Sequence, residues 1–226
     1  MNTPFANIVV ETFLKGGPIM WPILGCLVLA LATVVERCLY WRQVRRLRNE
    51  QAFANALEAI RHGKFSVAWE RAQAACSPYL LMLRAGLANG RHEPVTAMQL
   101  QAEESLEAAG TRQWLLSTII TLAPLLGLLG TVIGIMGSFQ FIGSEQLSVS
   151  KVSGGVGEAL IATAAGLGIA IVCLIPHNFF HRCVQALRHD LEQGVNQAEL
   201  AFKAAAAAGH PISAFQPDPA AIGAPR

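Results

Sequence analysis

Two stretches decide the fold: Trp114–Ile142, WLLSTIITLAPLLGLLGTVIGIMGSFQFI, and Val156–Phe180, VGEALIATAAGLGIAIVCLIPHNFF. A short polar link, residues 143–155, joins them. The first has no Asp, Glu, Lys or Arg, and the second has one, Glu158. Each exceeds the about 20 residues that a helix needs to cross the hydrocarbon core of a bilayer. Inside such a segment the backbone satisfies itself only as a helix, and a polar side chain is costly unless it has a partner or a task. Attention therefore falls on Glu158, Thr131 and Thr163 and on the glycines around them.

Working outward, the composition agrees with a membrane chain. Of 226 residues, 53% are hydrophobic and 14% charged, against about 25% charged in soluble domains. Net charge is +2, with no basic patch interleaved with aromatics, which argues against a nucleic-acid partner. The five cysteines (Cys26, Cys38, Cys76, Cys173, Cys183) lack metal-ligand spacing and read as small hydrophobes. No Walker loop, nucleophile elbow or metal cluster is present, so no cofactor is expected and an enzyme reading has no supporting residue.

Upstream, Pro18 opens a further apolar run that ends at Glu36-Arg37, with Tyr40 and Trp41 as an interfacial belt. Residues 18–41 are read as a first transmembrane helix. Residues 1–17 do not resemble a cleaved signal peptide, because Glu11 and Lys15 interrupt the apolar pattern. They form either a surface-lying helix or a loose terminus.

Between the first and second spans, Arg42, Arg45, Arg46 and Arg48 cluster against the end of the first. Ten of the 17 Lys and Arg residues fall between 42 and 113, against Lys151 alone in the 143–155 link. Positive charge stays inside. The region 42–113 is thus expected in the cytoplasm and the link 143–155 in the periplasm, giving an N-terminus out and a C-terminus in. Glu36, Arg37 and the arginine cluster are read as interface and topology anchors against lipid headgroups.

The expected architecture is all-α: spans at 18–41, 114–142 and 156–181, with long helical extensions into the cytoplasm. Within 42–113, Phe53, Leu57 and Ile60 mark a helix that Gly63 ends. Ser66 starts a second helix, and Tyr79–Asn89 is a third. Pro94 starts a fourth, with Val95, Met98, Ala102, Leu106 and Ala109 on one face. Nothing in the pattern stops this helix before Trp114, so it is expected to run unbroken into the second span. The third span is expected to continue through residues 182–209, ended by Gly209 and Pro211, leaving 210–226 as a disordered tail.

Small residues recur along both later spans. Gly127, Gly130, Gly134 and Gly137 lie on the second, and Ala162, Gly166 and Ala170 on the third, with Ala164 and Gly168 as another pair. Such spacing lets helix backbones approach closely in lipid, against the same chain, copies of it or another protein. Thr131 and Thr163 have two readings. Each hydroxyl bonds the carbonyl one turn back, or each faces a wet lumen where it can donate and accept. Glu158 likewise reads as an acid near a helix N-terminus or as a functional carboxylate. Neither later span has an Asp, Glu or His near its middle, so any proton relay needs an acid from a partner helix.

Leu122–Met136, LAPLLGLLGTVIGIM, and Gly157–Leu167, GEALIATAAGL, resemble the signature spans of the ExbB/TolQ/MotA proton-channel family. Gly16–Leu24 (GGPIMWPIL), Glu36-Arg37, Ser77-Pro78 and Leu83–Leu87 (LRAGL) are similar to it as well, so the resemblance covers about residues 15–205. Three spans and a modest cytoplasmic region look most like the ExbB branch, with TolQ as the alternative. The resemblance implies a homopentamer enclosing an ExbD-like or TolR-like single-span partner whose membrane Asp carries the proton. It implies that Thr131 and Thr163 line the lumen and that Glu158 matches the family's functional acid. Proton flow would drive motion of the partner, passed on to a TonB-like protein. A passive membrane scaffold is the competing class.

Overall fold

The computed structural model describes residues 11–47, 49–73, 77–139 and 149–217, with the side chains of 149–152 left aside. Among the described residues every regular element is helical: α1 (Met20–Leu47), α2 (Glu50–Arg61), α3 (Phe65–Gln73), α4 (Pro78–Ala88), α5 (Pro94–Gly110), α6 (Gln113–Phe139), α7 (Val149–Ala207) and a 3-10 turn at Ile212–Ala214. The chain divides into two compact units, one of Met1–Arg37 with Arg112–Phe180, the other of Cys38–Thr111 with His181–Arg226.

The first unit inverts the usual soluble arrangement. Its helices bury narrow stripes: Ile23, Cys26 and Ala30 on α1; Leu116, Ile119 and Ala123 on α6; Ala159, Ala162, Ala170 and Cys173 on α7. Met20, Ile23 and Ala162 form a small core flanked by Phe13, Ile19, Leu126, Ala165 and Ile169. The remaining faces are covered with exposed Leu, Ile and Val, among them Val28, Leu31, Leu125, Leu128, Leu160 and Ile175. Exposed apolar surface on this scale marks a lipid or protein contact, not a water boundary. Three helical runs are long and apolar enough to cross a membrane, with mean hydropathies of 1.9, 2.3 and 2.3. Pro124 and Pro176 sit inside α6 and α7, as membrane helices tolerate.

The second unit is built like a water-soluble bundle. Asn49 caps α2 by accepting the Ala52 N–H at 3.0 Å, and Gly63 at φ 69° ends it. Proline opens α4 and α5. Phe53, Ile60, Trp69, Leu80, Leu83, Leu87, Met98, Leu191 and Phe202 fill the interior. Tyr79 donates its hydroxyl to Asp190 Oδ2 at 3.0 Å, tying α4 to the lower half of α7.

Three expectations are corrected. The helix from Pro94 does not run unbroken into the second span: α5 stops at Gly110, and Arg112 adopts the left-handed φ of 64° before α6 begins. Gly110 weakens the helix at this point, and the turn at Arg112 carries its guanidinium into an ion pair with Glu36 on α1. The link 143–155 is not wholly a loop, because α7 starts at Val149; its first part lies outside the described residues.

The tail is also ordered where it is described. The Phe215 ring lies 5.9 Å from that of Phe65 and 6.3 Å from that of Trp69. Ile212 covers Gly90, and Arg91 donates to Gln216 at 3.0 Å. Residues 210–217 thus pack as part of the second unit, because Ile212 and Phe215 are apolar groups with a groove to fill. Residues 218–226 lie outside the described residues.

Candidate functional site

The backbone contact between α6 and α7 organises the site. A Cβ added at Gly127 would lie 2.9 Å from Thr163 Cα and 3.0 Å from the Ala162 carbonyl oxygen. At Gly134 it would lie 2.9 Å from Ala159 Cβ and 3.0 Å from the Gly155 carbonyl oxygen. One at Gly166 would strike the Ala123 carbonyl oxygen. These close approaches use Gly127, Gly134, Ala162 and Gly166 to pack the two helices of one chain. A Cβ added at Gly130 would lie 2.8 Å from Ala162 Cβ on α7 and 2.7 Å from Cγ2 of Ile19, just before α1. Ala170 is buried further along α7. Among the described residues nothing approaches the Cβ position of Gly137, so it takes no part in the packing of α6 on α7 seen there. Gly168 is likewise open.

On this close contact sit the two threonines. Thr163 Oγ1 donates across the interface to the Gly127 carbonyl at 2.8 Å. Thr131 Oγ1 donates within its own helix to the Leu128 carbonyl at 2.6 Å. Thr131 makes a bond within its own helix, while Thr163 bridges the two helices. The structure thus brings both hydroxyls to consecutive carbonyls of α6. Each donates its proton and retains lone-pair capacity to accept one more hydrogen bond. Both residues are half-buried.

Glu158 lies on α7, five residues before Thr163, also half-buried. Its carboxylate makes no hydrogen bond or ion pair to another described residue and rests on the backbone of Gly17. Gly17 has a φ of 70° in the Gly16-Gly17 turn that leads into α1. Before that turn, the Lys15 ammonium bonds the exposed Glu11 carboxylate at 2.7 Å and holds its pKa below the ordinary value.

The predicted anchors separate into two groups. Arg42, Arg45 and Arg46 are exposed, and Arg48 lies outside the described residues. Arg37 is not a headgroup anchor: its side chain is 5% exposed and meets Glu36 at 3.2 Å. Glu36 also receives Arg112 where α6 begins. An acid shared by two guanidiniums offsets the cost of burying Arg37.

Sequence reasoning singled out Thr131, Thr163, Glu158 and the glycine rows, but missed Gly17, Ser138 and Arg112. Buried Ser138 donates to the Gly134 carbonyl at 2.9 Å and occupies the space beside Gly155. The one available signal was the double glycine before Pro18, a pattern that invites a positive φ at a span entrance.

Comparison with known proteins identifies the family. Residues 76–193 match the model of the MotA/TolQ/ExbB proton channel family, a stretch holding α6, both threonines and Glu158. The chain is 34% identical over 177 residues to a biopolymer transport protein named ExbB-like 1 of Synechocystis, covering 74% of this chain and 68% of that one. It is 46% identical over 78 residues to the biopolymer transport protein ExbB of Neisseria gonorrhoeae, covering 34% and 36%. It is also 38% identical over 95 residues to the Tol-Pal system protein TolQ of Haemophilus influenzae, covering 42% of each. With three helical runs fit to span a membrane and this match across half its length, the chain belongs to the MotA/TolQ/ExbB proton channel family.

Proposed function

We propose that the chain is the channel-forming subunit of an ion-driven motor in the bacterial inner membrane. In this reading copies of it, as a pentamer, enclose an ExbD-like single-span partner, and the partner's membrane Asp carries the proton. The work is passed to a TonB-like protein for energised transport across the outer membrane. The N-terminus lies in the periplasm and the C-terminus in the cytoplasm.

The carrying observation is the pair of threonine hydroxyls on the consecutive carbonyls of Gly127 and Leu128. With their protons already committed, Thr131 and Thr163 are acceptors. Such a surface suits a protonated carboxylic acid, which donates one hydrogen bond, and does not suit a bare carboxylate. A partner Asp beside them is held neutral and is recharged only where it reaches water. Glu158, toward the start of α7, stands as an outer gate or field-setting residue, not as the carrier. One proton crossing 100 mV delivers about 2.3 kcal/mol, so motion in several small steps follows.

A TolQ-like role in cell-envelope maintenance with a TolR-like partner is the second reading, favoured by the similarity to TolQ of Haemophilus influenzae. The test is a strain whose energised uptake depends on this chain. Thr163→Val and Glu158→Ala are expected to assemble normally and to lose uptake. Normal uptake in both variants removes the site assignment, and loss of envelope integrity instead of uptake selects the TolQ-like role.

A further inference from the structure

Gly17 is the point where the chain entering α1 meets the only acid of the second apolar segment. A Cβ built on Gly17 would overlap Glu158 Oε1 and lie 2.7 Å from Glu158 Cδ and 3.2 Å from its Cγ. The neighbouring Gly16 is closed in the same way, with a Cβ 2.7 Å from Met20 Sδ and 3.1 Å from Ile161 Cγ2. The turn is fixed on both sides: Gly16 N–H donates to the Phe13 carbonyl at 3.2 Å, and Met20 N–H donates to the Gly17 carbonyl at 3.1 Å. Ile19, two residues on, packs on Gly130. The turn, α6 and α7 therefore meet at one place, and the Glu158 carboxylate fills the volume that a side chain at 17 would need.

We propose that Gly17 is a positioning residue for Glu158: its missing side chain is the recess that holds the carboxylate at the start of α7. The proposal rests on the reading of Glu158 as the functional acid near the outer entrance. Two separate constraints make glycine the residue for this position. Its φ of 70° disfavours any L side chain, and its Cβ volume is already taken by the carboxylate. The second constraint is the one that bears on function, and chemistry can separate it from the first. Asn tolerates a positive φ better than Ala, yet carries the same Cβ. Shortening Glu158 to Asp withdraws the carboxylate by one methylene and frees the recess.

The experiment uses the full chain with its single-span partner in vesicles. It compares wild type, Gly17→Ala, Gly17→Asn, Glu158→Asp and the Gly17→Asn/Glu158→Asp double variant. A water-soluble carbodiimide with an amine nucleophile reports the reach of the residue-158 carboxyl, counted by mass spectrometry. A pH dye reports proton flux. Gly17→Asn is expected to raise labelling at 158 severalfold and to lower flux by up to about a hundredfold, the scale for displacing a preorganised group by an ångström. The double variant is expected to recover the labelling and flux of Glu158→Asp alone. Unchanged labelling in both Gly17 variants overturns the proposal, as does a flux loss that Glu158→Asp fails to relieve, since that loss belongs to turn strain. Glu158→Ala, measured alongside these variants, gives a separate result if its flux is full. It removes the functional reading of Glu158, and the proposal with it, whatever the labelling shows.

Discussion

At the residue scale, Gly127 and Gly166 carry the tightest constraints. Each faces backbone atoms of the opposite helix, not the end of a flexible side chain, so nothing nearby can yield cheaply. Gly166→Ala is expected to cost about 1–3 kcal/mol, the range for overpacking a close contact. The loss would show as a lower unfolding midpoint in detergent. Gly137→Ala and Gly168→Ala, with open space around each glycine, are expected to leave that midpoint unchanged. If either weakens assembly instead, it belongs to a contact with a neighbouring copy. Thr163→Val removes one interhelical hydrogen bond, worth about 0.6 kcal/mol on average in a membrane. Its fold should therefore survive, and any large functional loss reflects the hydroxyl's chemistry. The glycine rows were legible because small-residue spacing reports backbone approach directly. The recess at Gly17 was not, because it depends on a contact between residues 141 positions apart in sequence (158 − 17).

At the element scale, helix identity followed from periodicity and from proline and glycine punctuation: Gly63, Pro78, Pro94 and Gly209 sit at or beside helix ends. The stop before Arg112 escaped that reading; it coincides with an ion pair to Glu36, remote in sequence. Arg112→Gly accepts the same φ but loses the pair, whereas Arg112→Ala loses the pair and strains the turn. The Ala variant is expected to be the less stable by about 1 kcal/mol, measured by thermal unfolding in detergent. The tail was misread for a related reason. Four prolines between 211 and 225 signal low helix content, but not the ring contacts of Phe215 with Phe65 and Trp69. Phe215→Ala is expected to destabilise the second unit by about 1–2 kcal/mol, the value of a half-buried ring and its aromatic contacts. Faster proteolysis within residues 62–91 would report it, and unchanged proteolysis would show that the tail packs without stabilising.

At the scale of the whole molecule, charge and apolar surface are partitioned between the two units. The first has almost no ionic chemistry within its spans and exposes a broad apolar surface. The second has a conventional core and carries most of the charge. That division was plain from composition along the chain, and it fits a subunit whose membrane part is a housing. In the proposed reading, what such a housing does depends on the partner chain it would enclose. The central claim is that Thr131 and Thr163 present acceptors to a neutral acid brought by a partner. The most direct measurement is proton entry into vesicles holding this chain and its single-span partner, followed with an internal pH dye. The expected result is a leak that vanishes when the partner's membrane Asp is changed to Asn, and that falls sharply in Thr163→Val. A leak unaffected by the partner's Asp, or none with both wild-type chains present, would contradict it.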